Sequence, residues 1–405
     1  MRFARRTVLA SMVASITCPA VLRRAWADAP QVTLKLHHFF SSVSSVHAKF
    51  LAPWARKVEA ESDGRIRIDI FPSMQLGGAP AQLFDQARDG LADIVWAVPS
   101  STPGRFARIE VFELPFLPSR RALVNSKAIE DYAAESLQDE FREVHPVCFS
   151  CRDHGILHAN RTLESIADLK GLRLHVANRL AGESVRALGA QGVSVPIPQV
   201  PAAITGHVID GCLDPWDVVP SLRLHDLLKA HTDFAESSLS TATFVLAMNK
   251  AAYDRLPREL KMIVDANSGQ VAAGMAGAMW DTEAKAVADM VAGRGDPVTL
   301  IAAEEVAHWR AATAPVIATW LKEMKARKID GGALMASAIA RIAKYANEPE
   351  PPSQPRQVPE AKMVDQPPQQ ATQAKTAVTE TPKVSPPATM PASRPAPPKE
   401  LDIPL

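Results

Sequence analysis

His175 and Arg179 stand four residues apart, where the apolar segment 172–176 gives way to Asn178 and a helical pattern. A His and an Arg at a strand end that opens into a helix suit the capture of a small molecule, because strand ends of α/β proteins converge on ligand crevices. Guanidinium offers a fixed fork of N–H donors, whereas imidazole is a donor whose charge depends on pH. Further along the same stretch, 169–219, Asp214-Pro215-Trp216 adds a carboxylate and an aromatic wall. An Asp repels an anionic ligand unless it is paired or protonated, and Asp-Pro is also an ordinary turn. Asp210 is read as ordering the turn before Gly211.

Catalytic patterns do not assemble. Gln75-Leu76-Gly77-Gly78 lacks the Lys-Ser/Thr of a phosphate loop, His37-His38 is adjacent rather than spaced for a helical metal pair, and no nucleophile elbow is present. Cys148-Phe149-Ser150-Cys151 has redox or zinc spacing, without a second Cys pair or a His cluster. The segment 146–151 reads as a buried strand, on which residues three apart face opposite ways, so free buried thiols are expected. The expectation is a protein that is not an enzyme and holds no cofactor and no metal.

The elements that must position these residues follow an α/β order. Strand-like pieces at 32–37, 65–71 and 91–98 are separated by helical patterns at 44–60 and 81–89. In the first helix Val46, Phe50, Trp54 and Val58 recur at steps of four, an apolar stripe. Strand–helix–strand alternation implies a largely parallel sheet. Residues 120–144 are mostly helical, and a second α/β run starts near Cys148. After a strand at 243–248, the stretch 256–290 reads as one helix long enough to cross more than one domain. A strand at 298–301 and a helix at 304–327, with Trp309 and Trp320, follow.

Both ends differ from this body. Residues 1–27 have a basic start (Arg2, Arg5, Arg6), an apolar run from 7 to 22 and the small-x-small site Ala25-Trp26-Ala27. Those are the parts of an export signal, cleaved near Asp28, and the run is short for a membrane span. Arg5-Arg6-Thr7-Val8-Leu9 partly fits a twin-arginine signal, with Ala4 where Ser or Thr is usual, so the general secretory and twin-arginine routes both stay open. Ser15-Ile16-Thr17-Cys18 is a poor lipid-attachment site. Five arginines and no acid precede Asp28, so removing them takes the formal charge from +1 to −4. A mildly acidic mature chain is a poor partner for nucleic acid or an anionic membrane surface. At the other end, 348–405 holds 15 of the 33 prolines and no aromatic residue, and is read as a disordered tail unable to bury a core.

Several motifs in order carry a resemblance. They are Leu34-Lys35-Leu36-His37, Ser62-Asp63-Gly64-Arg65-Ile66, Phe71-Pro72-Ser73-Met74-Gln75-Leu76-Gly77-Gly78, Phe112-Glu113-Leu114-Pro115-Phe116-Leu117, Asp168-Leu169-Lys170-Gly171-Leu172 and Val208-Ile209-Asp210-Gly211. Together they resemble the periplasmic solute-binding proteins of tripartite ATP-independent periplasmic (TRAP) transporters, the C4-dicarboxylate-binding type, over residues 31–346. Pro215-Trp216 is similar to one branch of that family. The resemblance implies an α/β fold of two lobes with mixed sheets, lobe-crossing strands and a long lobe-spanning helix, closing on ligand as a clamp. It implies lobe one at 28–152 and 241–280, and lobe two at 153–240 and 281–347. It also implies a periplasmic subunit that delivers a small organic acid to TRAP membrane permease subunits. An extracytoplasmic subunit of a sensor system and a periplasmic hydrolase are the alternatives.

The family's main carboxylate contact is an Arg in the strand after Leu-Lys-Gly, and that position falls on His175 in this sequence. The expected ligand-binding set is therefore His175 with Arg179 as the replacement anion contact, Asp214 where many members have Asn, and Trp216. Strand-end residues His38, Phe39 and Trp96, Gln75 of the Gly-rich loop and Phe244 complete it. His175 and Asp214 together point to a carboxylate other than a simple C4-dicarboxylate, such as a monocarboxylate with an aromatic, hydroxylated or amine-bearing body.

Overall fold

Two sheets organise residues 29–235 and 238–348, which the computed structural model of the protein describes. In chain order the strands are β1 (Val32–His38), β2 (Ile66–Phe71), β3 (Ile94–Ala97), β4 (Val144–Cys151), β5 (Ile156–Ala159), β6 (Arg173–Val176), β7 (Gln191–Val193), β8 (Gly211–Asp214), β9 (Ala230–Phe234), β10 (Thr243–Asn249) and β11 (Val298–Ile301). The first sheet is ordered β2-β1-β3-β10-β4 and the second β11-β9-β5-β8-β6-β7. β1 lies parallel to β2 and β3, as strand–helix–strand alternation requires, while β10 enters antiparallel between β3 and β4. Val46, Phe50, Trp54 and Val58 are buried against that sheet, the stripe expected of their four-residue spacing. Two lobes result, each with a mixed sheet.

Among the described residues the chain crosses between them four times. Residues 152–155 carry it from β4 to β5, and the segment after β9 returns it to β10. Helix Gln270–Gly293 buries Ala272, Ala273, Ala276 and Trp280 in the first lobe, and Val287 and Val291 in the second. Helix Ala303–Ala326 places Trp309 beside Phe234 and Ile301 in the second lobe, but Val316, Trp320 and Met324 in the first.

Two expectations are corrected. The single helix expected over 256–290 is divided into Arg258–Ala266 and Gln270–Gly293. Gly269 between them takes φ 60°, outside the helical region, and its N–H donates to Val147 O (2.7 Å). The assignment of 281–347 to lobe two fails for its last part. Helix Gly331–Ala346 buries Leu334, Ala338, Ile342 and Tyr345 among Val124, Ala128, Ile129 and Tyr132 of helix Ala122–Ser136, in the first lobe. The apolar face of the last helix is matched there, and Tyr345 Oη donates to Asp131 (2.7 Å).

Cys148 and Cys151 are free and buried on opposite faces of β4, in different cores, and Cys212 is buried in the second lobe. Burial pushes all three thiols up. Among the described residues no helix is long and apolar enough to cross a membrane, and no group of three or more His, Cys, Asp or Glu could hold a metal ion. The expected export signal at 1–27 lies outside the described residues, as does the expected tail beyond Glu348.

Candidate functional site

A cavity of about 530 Å³ lies where the lobes face one another. Phe39, Phe40, Ser41, Val43, Ser44 and Ser45, which follow β1, form one side; Ile197, Pro198, Val218, Pro220, Ser221 and Leu222 form the other. The parallel β1 ends at His38, so the chain must leave the sheet there, and Phe39 and Phe40 stack at the exit with ring centroids 4.2 Å apart. The opposite side is built on prolines. Pro198 lies in the short turn before helix Val200–Thr205, and Pro220 within the single turn Val218–Ser221. Fixed φ values there lower the entropy lost in holding the wall.

Two ionisable residues line the cavity, Arg152 and Asp217. Arg152 directly follows β4 at the lobe crossing, where its N–H donates to Ala242 O (2.9 Å) and its carbonyl accepts from Thr241 Oγ1 (2.8 Å). Its Nε and Nη2 donate to Asp217 Oδ1 (3.0 and 2.7 Å), and Nη2 also to Oδ2 (2.6 Å). Both side chains are buried, 7% and 8% exposed. Burial lowers the guanidinium's proton affinity, but Asp217 followed by Asp153 and Asp214 outweighs it, so Arg152 is held charged. The Arg152 Cζ lies 6.0 Å from the Phe40 ring centroid. Nη1 makes no hydrogen bond to a described residue, which leaves part of the five-donor fork for a ligand. Next to it, burial and the Asp217 charge push Asp153 well above the carboxylate range.

His175 and Asp214 meet each other. β6 and β8 are parallel neighbours, and His175 Nδ1 lies 2.7 Å from Asp214 Oδ2, with Nε2 3.1 Å from Val195 O. Both partners are acceptors, so only the imidazolium satisfies both. Burial opposes that charge, but Asp214 outweighs it and raises the His175 pKa, while burial opposes and His175 lowers that of Asp214. The row continues across the sheet. His158 Nε2 donates to Asp214 O (3.0 Å), which leaves its Nδ1 to accept from His231 Nδ1 (2.7 Å). Burial lowers these two to about 3 and about 4, so they are neutral. Trp216 packs on this pair, 5.3 Å from each ring.

The other expected residues are dispersed. Phe39 lines the cavity. Phe244 stacks on Trp96 (5.1 Å) inside the first-lobe core and reaches Phe40 at 6.3 Å, so both aromatics back the wall rather than form it. His38 is buried with Nε2 2.9 Å from His47 Nδ1, and burial lowers it to about 3. Gln75 is exposed in its turn; Gln86, from the next helix, is the buried one, bound to His37 (2.7 Å) and Gly77 O (3.0 Å). Arg179 is held by Glu110 (2.9 Å), Glu183 (2.9 Å) and Glu323 (3.2 Å), away from the cavity lining. Arg152 and Asp217 escaped the sequence reading. Their available signal was Arg152-Asp153-His154, three polar residues straight after a buried strand, at the expected lobe boundary.

Comparison with known proteins adds the relatives. Residues 36–323 match the family model described as bacterial extracellular solute-binding protein, family 7 (DctP). A TRAP solute-binding protein from Rhodoferax ferrireducens, in complex with copurified benzoate, is 39% identical with a TM-score of 0.74, covering 78% of this chain and 98% of that one. A marine metagenome TRAP solute-binding protein specific for aromatic acid ligands, with 3-hydroxybenzoate, is 37% identical with a TM-score of 0.75, covering 78% and 99%. One from Bordetella bronchiseptica with bound (R)- and (S)-mandelate is 27% identical with a TM-score of 0.71, covering 77% and 99%.

Proposed function

The chain belongs to the family 7 (DctP) extracellular solute-binding proteins, the organic-acid-binding subunits of TRAP transporters, and on that premise we propose that its own ligand is an aromatic monocarboxylate. The observation that carries this reading is a charged, buried Arg152 at a cavity whose other walls are largely Phe, Val, Ile, Pro and Leu. The carboxylate lies against Arg152 Nη1, and the ring between Phe39/Phe40 and Ile197, Pro198 and Leu222. A cavity of about 530 Å³ is within the usual size of small-molecule sites. Relatives that hold benzoate, 3-hydroxybenzoate and mandelate support the class. Among the expected residues, Phe39 serves as wall, Trp96 and Phe244 as its backing, and His175 with Asp214 as a fixed ion pair supporting the second lobe.

The protein works outside the cytoplasm after cleavage near Asp28, and passes its ligand to membrane permease subunits without chemistry. Serines line the cavity, but no His, Lys or Cys accompanies them to activate a nucleophile. Thermal-shift and calorimetric titration of the purified chain with benzoate, mandelate, succinate, neutral solutes and amines tests the reading. Benzoate and mandelate are expected to bind at micromolar or tighter Kd, raising the Tm as ligand linkage requires. Stabilisation by amines or neutral solutes with none by any acid overturns it.

A further inference from the structure

The Arg152 guanidinium is not free to meet an anion alone. Asp217 already neutralises it, and no other ionisable side chain lines the cavity. The hydrogen-bond inventory of the pair is asymmetric. Asp217 Oδ1 accepts from Nε and Nη2, whereas Oδ2 accepts from Nη2 alone. A carboxylate oxygen has two acceptor positions, so Oδ2 keeps one, and Nη1 of the Arg152 it is paired with has no partner among the described residues. The cavity lining therefore carries a donor and an acceptor on one paired couple, with no second cation. We propose that Asp217 is the selectivity residue of the cleft: it accepts a hydrogen bond from a hydroxyl or amine on the ligand and turns away a second carboxylate. This rests on the monocarboxylate reading above and names which acids pass.

The physical reason is the balance of charge. A monocarboxylate bound on Nη1 shares one guanidinium with Asp217, an arrangement the five-donor fork allows. A ligand hydroxyl placed at Oδ2 then fills the last acceptor position with a charge-assisted bond. A second carboxylate at that place meets the Asp217 carboxylate at close range, with no cation besides Arg152 on the cavity lining. Like charges there repel, and Arg152, already shared between Asp217 and the first carboxylate, is the one cation among the described lining residues.

Benzoate, 3-hydroxybenzoate and isophthalate differ only in the meta substituent, and calorimetric titration of the purified chain with all three reads the proposal. We expect 3-hydroxybenzoate to bind about tenfold or more tightly than benzoate, as for a hydrogen bond to a charged acceptor. Isophthalate is expected to be about 100-fold weaker than 3-hydroxybenzoate, or worse. In Asp217→Asn the gap between the last two narrows at least about tenfold. Isophthalate binding within about tenfold of 3-hydroxybenzoate in the native chain overturns the proposal, as does an unchanged ratio in the variant. If Asp217→Asn does not fold by circular dichroism, Asp217→Ser replaces it and the native ratio still decides. Failure of all three acids to bind is a different result: it sinks the monocarboxylate reading itself.

Discussion

Replacing Arg152 by Met while Asp217 stays in place is the sharpest perturbation of this structure. The substitution keeps an unbranched side chain of similar reach but leaves the Asp217 carboxylate, 8% exposed, without a counter-ion. Breaking a buried pair from one side costs about 3–5 kcal/mol, because the remaining charge stays desolvated. Binding suffers separately. Losing hydrogen bonds from a charged donor costs about 2–3 kcal/mol, or about 30- to 150-fold in Kd for benzoate. The second replacement, Asp217→Leu, distinguishes the two effects. Exchanging both members of a buried pair for apolar residues is often neutral or stabilising, so the double variant is expected within about 1 kcal/mol of the native chain or above it. It is still expected to bind benzoate about 30- to 150-fold more weakly than the native chain. Urea denaturation gives the stabilities and calorimetry the affinities. The reasoning is refuted if Arg152→Met alone costs less than about 1 kcal/mol, or if the double variant binds benzoate within about threefold of the native chain.

Three further outcomes follow from the same geometry. In the lobe-spanning helix a Cβ on Gly277 would stand 2.5 Å from Leu123 Cα, whereas one on Gly274 meets nothing within 4 Å. Gly277→Ala is expected to cost about 1–3 kcal/mol and Gly274→Ala to stabilise by about 0.5–1 kcal/mol, a difference of sign that Tm measurements read directly. Arg179→Ala leaves Glu110, Glu183 and Glu323 facing one another, so a loss of about 1–2 kcal/mol is expected. Because Arg179 is outside the cavity lining, the Kd for benzoate should stay within about threefold, and a larger loss would return it to the binding site. His158 and His231, lowered by burial to about 3 and about 4, make the unfolded chain bind more protons below the ordinary His value of 6.5, so stability falls as pH falls from 6.5 toward 4. His175, raised by Asp214 against the opposing effect of burial, behaves oppositely: its contribution is complete below 6.5 and is lost as pH rises through its folded pKa. Urea midpoints across pH 4–9 should therefore show a shallower acid limb in His231→Gln and a shallower alkaline limb in His175→Gln.

Local patterns carried the elements into view, and pairing between distant segments hid the site. The stripe Val46, Phe50, Trp54, Val58 shows its periodicity in the sequence, and the buried positions agree. Family motifs in order carried the two-lobed architecture. His175 and Asp214 drew notice singly as departures from the family pattern. That they neutralise one another depends on the adjacency of β6 and β8, which no spacing along the chain reveals. Arg179 resembled a free anion contact because two of its three carboxylates, Glu110 and Glu323, are remote in sequence. Trp96 and Phe244 look like pocket aromatics at strand ends, yet β10 inserts beside β3 and turns them into a stacked core pair. Arg152 was invisible for the opposite reason: it follows a strand read for its cysteines, and only the cavity shows where its guanidinium lies.

The threading of the chain bears on how the protein comes to be folded. β10 completes the first sheet only after the whole second sheet except β11 has been passed, and Leu334 to Tyr345 close the first core from the last helix. A chain emerging N-terminus first thus exposes Phe112, Ile129 and Tyr132 until the helix Gly331–Ala346 arrives. Contacts of such long sequence separation are slow to form, since loop closure precedes the burial that rewards it. Neither lobe can shut early into a finished core. The first lobe stays incomplete while its C-terminal segments are missing, which leaves the chain in need of protection from aggregation until its last helix docks.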